Sequence, residues 1–269
     1  MEQEVISRIH KSILSSRRSP AFIPFVEVGY PDMEFSKELF YLFQKKGAAA
    51  IEVGIPFSDP LADGPVIQKA SKKALENGVT LQKAFDLLEE IKDNMEVPLI
   101  VFSYLNPVLN FGLENFVKEL KDKNVAGVII PDLPVEESEE IAGLLKRNQI
   151  DFIFLISPTS TEKRIKNIAE SSSGFIYLVS STGVTGIRDS FSTMLASVLT
   201  KIKGFSPLPV AVGFGVSKTE HIDNLREIGV DGAVIASVFL KIIDQYSGNP
   251  GLAMRKIGVH IEDLYKSQK

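Results

Sequence analysis

The residues best suited to chemistry lie in one stretch, 51–68, with the sequence IEVGIPFSDPLADGPVIQ. An apolar segment, 48–53, holds a single carboxylate, Glu52, and the chain then breaks at Gly54 and Pro56 into a loop carrying Ser58, Asp59 and Asp63. An ionised carboxylate inside an apolar strand is costly unless it is paired or neutralised. Glu52 therefore reads two ways: as a strand-end residue that is solvated or held by a lysine, or as an acid–base group whose pKa is raised for work near neutral pH. Alternation along a strand puts Ala50, Glu52 and Gly54 on one face, where small neighbours leave room for a ligand. Asp63, followed by Gly64, has the composition of an ordinary turn.

A second group of positions has a different character. Gly183-Val184-Thr185-Gly186, Gly213-Phe214-Gly215 and Ala236-Ser237 each follow an apolar run. Small residues let backbone N–H groups approach an anion, and a helix start adds its dipole. Each alone reads as a Gly-rich turn; together they point to phosphate. Other chemistries find less support. His10, His221 and His260 fall on helical segments away from the loop ends, which disfavours histidine catalysis and a histidine metal site. Ser58 and Ser237 lack a partner histidine, and no predicted strand carries a lysine for Schiff-base chemistry. What remains is carboxylate acid–base chemistry on a phosphorylated substrate, with no metal.

The elements that position these residues alternate regularly. Apolar runs at 21–28, 48–53, 98–104, 125–130, 151–156, 175–179, 208–212 and 233–235 read as strands. Between them lie helical patterns: one from Phe35 to a stop at Gly47, two over 66–77 and 80–93, and others from Leu113, around Ile141, to Lys203 and from Ser237. A short helix over 2–15 precedes the first strand, and an amphipathic segment over 252–265 closes the chain. Leu105-Asn106-Pro107 reads as a loop. Thr159 with Glu162, and Ser217 with Glu220, have capping-box spacing. Eight strand–helix alternations argue for an α/β fold, a (β/α)8 TIM barrel with an extra N-terminal helix. The strands read as continuous apolar runs, as strands covered on both faces should. An open doubly wound sheet would want a dinucleotide fingerprint after the first strand, and Gly29-Tyr30-Pro31 is not one.

Bulk composition agrees. At 269 residues the chain matches a barrel of about 250 residues, and no linker or composition break divides it, so one domain over 1–269 is expected. With no cysteine, thiolate catalysis and disulfides are excluded. A formal charge of −4 gives no electrostatic footprint for nucleic acid. The acidic start, Met1-Glu2-Gln3-Glu4, lacks a signal core, and no apolar run approaches the ~20 residues of a membrane helix, so a cytoplasmic protein is expected.

The run 51–68 closely resembles the signature of the tryptophan synthase α subunit. The likeness extends in register to Pro24-Phe25, to Pro131-Asp132-Leu133-Pro134-Val135-Glu136-Glu137-Ser138, to Gly183-Val184-Thr185-Gly186 and to Gly213-Phe214-Gly215. The resemblance implies a retro-aldol lyase that cleaves indole-3-glycerol phosphate to indole and glyceraldehyde 3-phosphate in tryptophan biosynthesis, without a cofactor. It implies that Glu52 is the acid–base residue and that Asp63 accepts the indole N–H. By the same likeness Phe25, Phe102, Tyr104, Pro131, Ile156 and Tyr177 would wall the indole pocket. Gly186, Phe214, Gly215, Ala236 and Ser237 would hold the phosphate. Loops 54–64 and 180–190 would close over the site and face a β subunit in an α2β2 assembly. That subunit carries pyridoxal phosphate in the family and receives indole through a tunnel; Asp59 and Pro60 would touch it.

Three residues depart from the family pattern. Ser181 stands where many relatives have arginine. Ala236 replaces a glycine, which would matter if that position needs φ > 0. Glu27 replaces a common threonine on the face of the first strand shared by Phe25 and Gly29. It is expected either to share a proton with Glu52 or to be tied to a lysine or to solvent. These departures motivate a competing reading, a catalytically weak regulatory α subunit that mainly activates its β partner. A third reading, another phosphate-handling barrel such as a sugar-phosphate isomerase, keeps the fold but gives Asp63 no indole to meet.

Overall fold

The computed structural model describes residues 7–179, 188–213 and 215–268. Its strands are β1 (Ala21–Glu27), β2 (Ile51–Gly54), β3 (Leu99–Phe102), β4 (Gly127–Ile129), β5 (Asp151–Ile153), β6 (Leu155–Ile156), β7 (Ile176–Val179), β8 (Val210–Gly213) and β9 (Gly232–Ile235). They lie in the order β5-β4-β3-β2-β1-β9-β8-β7-β6, and every pairing is parallel. β5 and β6 are two halves of one stave interrupted at Phe154. Asp151 N–H donates to Ala126 O on one side, while Tyr177 N–H donates to Phe154 O on the other. The two ends of the sheet are thus a single strand, and the sheet closes as the expected TIM barrel of eight staves.

Alternation sorts side chains into two layers. From β1, Phe22 and Val26, with Val28 just past its end, join the apolar layer under the helices, whereas Ala21, Ile23 and Phe25 face inward with Ala50, Ile100, Phe102, Ile129, Ile153, Tyr177, Ala211 and Val234. In the outer layer, Phe22 meets the rings of Phe43 and Phe239 edge-on at 5.8 and 6.1 Å. Each such fully buried ring contributes roughly 1.5–3 kcal/mol of transfer free energy. The helix Arg8–Leu14 closes the N-terminal end of the barrel: its Ile9 and Ile13 belong to the inner layer, and Ser12 Oγ donates to Ala49 O at 2.5 Å. Gly127 makes room for it, since a Cβ there would lie 2.7 Å from Ile9 Cδ1. The expected start of this helix at residue 2 lies outside the described residues.

The local expectations need three corrections. Leu105-Asn106-Pro107 opens a helix, Leu105–Phe111, rather than forming a loop. Pro107 is harmless in a first turn, whose N–H groups have no intrahelical partner, and Leu105 N–H is instead accepted by Asp132 from the next βα loop. Thr161, not Thr159, caps the helix Glu162–Ser171 by accepting from Arg164 N–H, while Thr159 bonds Ser157 in the preceding turn. The helix Thr219–Ile228 starts after Lys218 with no side-chain cap, and Ser217 N–H donates to His221 Nδ1. No described helix is long and apolar enough to cross a membrane.

Candidate active site

The C-terminal ends of β1, β2 and β3 bring the predicted acid–base residue into an enclosed position. Glu52 lies beside Phe25 on one side and Ile100 on the other, is 1% exposed, and leaves Oε1 without a hydrogen-bond partner. Burial, reinforced by the negative charge of Asp63, raises its pKa from 4.5 to about 8. At neutral pH Glu52 therefore carries a proton that it can give away.

Asp63 does make the turn its Asp-Gly context suggests, for its N–H donates to Pro60 O and its carbonyl accepts from Gln68 Nε2. Its carboxylate, however, is aimed at Tyr104, whose hydroxyl donates to Oδ2 at 2.9 Å and accepts from Ala62 N–H at 3.0 Å. Burial raises Asp63 to about 6, and the Tyr104 hydrogen bond partly opposes that rise. Tyr104 itself is pushed far above the ordinary phenol value by burial and by the adjoining carboxylate. Near pH 7, then, the site presents a protonated Glu52 and an ionised Asp63: one group to donate a proton, one to meet a developing cation.

The other expected wall residues divide. Phe25 and Phe102 meet edge-on at 6.1 Å, and Phe102 meets Tyr104 edge-on at 6.3 Å. Tyr177 is buried, and its phenol is raised by burial and then by the charges of Glu52 and Asp63. Gly213 admits its ring, because a Cβ there would stand 2.1 Å from Tyr177 Oη. Pro131 sits half-buried just beyond β4. Ile156 packs in the outer layer, and the residue of its stave that packs with the inner layer beside Tyr177 is Leu155. In an all-apolar strand nothing in composition marks which face is which. Leu155, Ile129 and Phe57, whose ring stacks on Tyr104 at 5.2 Å, were missed; stepping by two from Ile153 identifies Leu155.

Of the phosphate candidates, Gly186 and Phe214 lie outside the described residues, as does Ser181. Gly215 has φ +75°, a left-handed conformation that favours glycine. Ala236 precedes the helix Ser237–Gln245 with φ −124°, so it is not in the positive-φ conformation that would demand glycine. β8 and β9 are paired, with Gly213 beside Val234, so the strand ends leading to Gly215 and to Ala236 and Ser237 are adjacent. β9 borders β1, which borders β2, placing Ala236 and Ser237 two staves from Glu52 and Gly215 three. Asp59 is exposed and accepts from Ser58 Oγ at 2.5 Å; Pro60 is half-exposed, and next to it Leu61 is 91% exposed.

Glu27 is neither lysine-bound nor solvated. It is 3% exposed with Oε1 unpartnered, and Ser71 only partly opposes the rise of its pKa. The charge that bears on it after burial is Asp63 rather than Glu52, and together these hold its pKa well above the ordinary carboxyl range.

The chain as a whole is similar to known proteins. The sequence profile of the tryptophan synthase alpha chain matches residues 12–268. A tryptophan synthase alpha chain of Prochlorococcus marinus subsp. pastoris is 43% identical over 266 residues, covering 98% of this chain and 95% of that one. One from Bacillus velezensis is 46% identical over 234 residues, covering 86% and 88%. A solved structure concerning mutual activation of the tryptophan synthase α2β2 complex of the hyperthermophile Pyrococcus furiosus superposes with a TM-score of 0.85 at 35% identity, covering 92% of this chain and 98% of that one. With the signature stretch, the closed barrel and near-complete coverage in agreement, the chain belongs to the tryptophan synthase alpha chain family.

Proposed function

We propose that this protein is the lyase subunit of a tryptophan synthase, cleaving indole-3-glycerol phosphate to indole and glyceraldehyde 3-phosphate. The observation that carries the reading is the pairing of a buried, protonated Glu52 with an ionised Asp63 held by Tyr104. Breaking the bond between the ring carbon and the glycerol chain needs a proton on that carbon and removal of one from the adjacent hydroxyl. Glu52 delivers its proton to the ring carbon. Positive charge spreads to the ring nitrogen, where the Asp63 carboxylate accepts the N–H and stabilises it. The carboxylate of Glu52 then takes the hydroxyl proton as the carbon–carbon bond breaks, which forms the aldehyde, restores the indole ring and returns Glu52 to its starting state.

Phe25, Phe102, Tyr104, Tyr177 and Leu155 supply an apolar wall for the bicyclic ring, and Pro131 lies at its edge. Gly215, Ala236 and Ser237, with Gly186 and Phe214, would take the phosphate through backbone N–H groups. The exposed Asp59-Pro60-Leu61 tip suits contact with a β subunit in an α2β2 assembly, and membership of a biosynthetic family supports the cytoplasm as its place.

Steady-state formation of indole from indole-3-glycerol phosphate, with and without a β subunit, tests the reading. Cleavage should be measurable alone and faster in the complex. Glu52→Gln should lower kcat by about 10²–10⁴-fold, the usual contribution of a positioned acid–base group. Absence of indole formation by the intact chain in both conditions would refute it.

A further inference from the structure

The turn Gly29-Tyr30-Pro31 after β1 has no part in the mechanism, yet it is bonded to two helices at once. Tyr30 is 7% exposed, and its hydroxyl donates to Asp244 Oδ1. On the other side, Asn77 Nδ2 donates to Gly29 O at 3.2 Å and to Pro31 O at 2.7 Å. Asp244 lies in the last turn of the helix Ser237–Gln245, and Asn77 caps the end of the helix Pro65–Glu76. These two helices also pack on one another, and Lys69 Nζ reaches from the second to Asp244 Oδ2 at 2.7 Å. A single carboxylate therefore gathers both connections.

Each helix leads to a different part of the site. The helix 237–245 starts at Ser237, where the phosphate would sit, and Asp244 stands two turns further on, about 10 Å along the axis. The helix 65–76 starts directly after Asp63-Gly64, and Gln68 in its first turn donates from Nε2 to Asp63 O at 2.9 Å. A shift of this helix is thus passed to the backbone of Asp63. The Asp63 carboxylate accepts from Tyr104 at 2.9 Å, and Tyr104 follows β3, a separate element. Moving the helix against the barrel would stretch that bond.

We infer that Asp244 is a positioning residue of the lyase site, tying the helix of the phosphate subsite to the helix that holds Asp63 through Tyr30 and Lys69. The inference rests on the function proposed above and adds to it a residue remote from the reacting atoms. A carboxylate that accepts from a buried phenol makes a strong, charge-assisted bond. The Lys69 end is weaker, because that side chain is 67% exposed and exposed ion pairs contribute little. Tying the two subsites together lets the hold on a remote phosphate orient the group that meets the ring, which raises kcat rather than affinity alone.

The test is the pH–rate profile of indole-3-glycerol phosphate cleavage by Asp244→Ala. The variant should lower kcat by about tenfold with KM nearly unchanged, because misplacing a group that acts on the transition state costs rate. The acid limb, set by Asp63 at about 6, should move upward, because Asp63 loses part of the Tyr104 bond that opposes its rise. Asp244→Glu, which keeps the carboxylate, should recover kcat to within about threefold of the parent. Tyr30→Phe and Lys69→Met each remove one connection, and the double variant should match Asp244→Ala; it carries the test if Asp244→Ala does not fold. A kcat within about twofold of the parent, a loss in KM alone, or a lower kcat with the acid limb unmoved would overturn the inference while leaving the lyase reading intact. A parent chain that makes no indole would instead overturn that reading, and this inference with it.

Discussion

Replacing Glu52 with glutamine should make the protein more stable as pH rises while removing its lyase activity. In the folded chain the carboxyl is 1% exposed and titrates near 8, whereas its unfolded value is 4.5. Between those values the unfolded chain is ionised at Glu52 and the folded chain still holds the proton, so folding takes up a proton. The contribution of Glu52 to stability is therefore complete below pH 4.5 and is lost progressively as pH rises through 8. Each pH unit in that window removes about 1.4 kcal/mol, so by pH 7 the parent has lost about 3 kcal/mol at this one position. Glutamine does not titrate. Its extra N–H at an atom site that already lacks a partner adds a cost of about 1–3 kcal/mol, but one that is the same at every pH. Urea unfolding of both proteins at pH 5, 6, 7 and 7.5 separates the constant from the slope. The stability of Glu52→Gln minus that of the parent should climb by about 1.4 kcal/mol per unit. A difference that stays flat across those four values would mean that Glu52 is ionised in the folded state, and the donor role derived for it would fall.

Other outcomes follow from the same geometry. The rate of cleavage should be bell-shaped in pH: it falls below about 6 as Asp63 is protonated and above about 8 as Glu52 loses the proton it must donate. Asp63→Asn should lower the maximum and abolish the acid limb, which a pH–rate profile reads directly. Gly213→Ala should force the Tyr177 ring out of its place, since the new Cβ would lie 2.1 Å from the phenol oxygen; a loss in kcat/KM on the order of 10²-fold is expected for such a displacement, and wild-type kinetics would contradict the packing. Ala236→Gly should leave the KM for indole-3-glycerol phosphate within about twofold, because φ −124° is not a positive-φ conformation that calls for glycine.

Much of the fold was legible because each stave is a compact apolar run set off by turn residues. That pattern survives in composition even where individual boundaries move by a residue or two. Glu52 was legible for the opposite reason, as the one carboxylate in its strand, and a charge placed there has few outcomes besides protonation or pairing. Asp63 was ambiguous from its neighbours alone. Asp-Gly at a turn looks the same whether the carboxylate faces water or a buried phenol, and Tyr104, the residue that decides, is 41 positions away.

The sequence by itself determined an eight-stave barrel, an acid–base candidate on its second stave and small residues at the ends of the staves opposite in chain order. Local chemistry suffices for these, because apolar runs, turn residues and a lone buried charge act over a few neighbours. Only the tertiary structure decided that Leu155 rather than Ile156 faces inward, since both are apolar and the closing of the sheet alone sets their faces. It decided that residues 105–111 are helical, because the acceptor for Leu105 N–H comes from Asp132 of another loop. It also set the charge of Asp63, rather than that of Glu52, against the buried Glu27, because through-space charge depends on which side chains converge, and convergence is fixed by the closed barrel rather than by spacing along the chain.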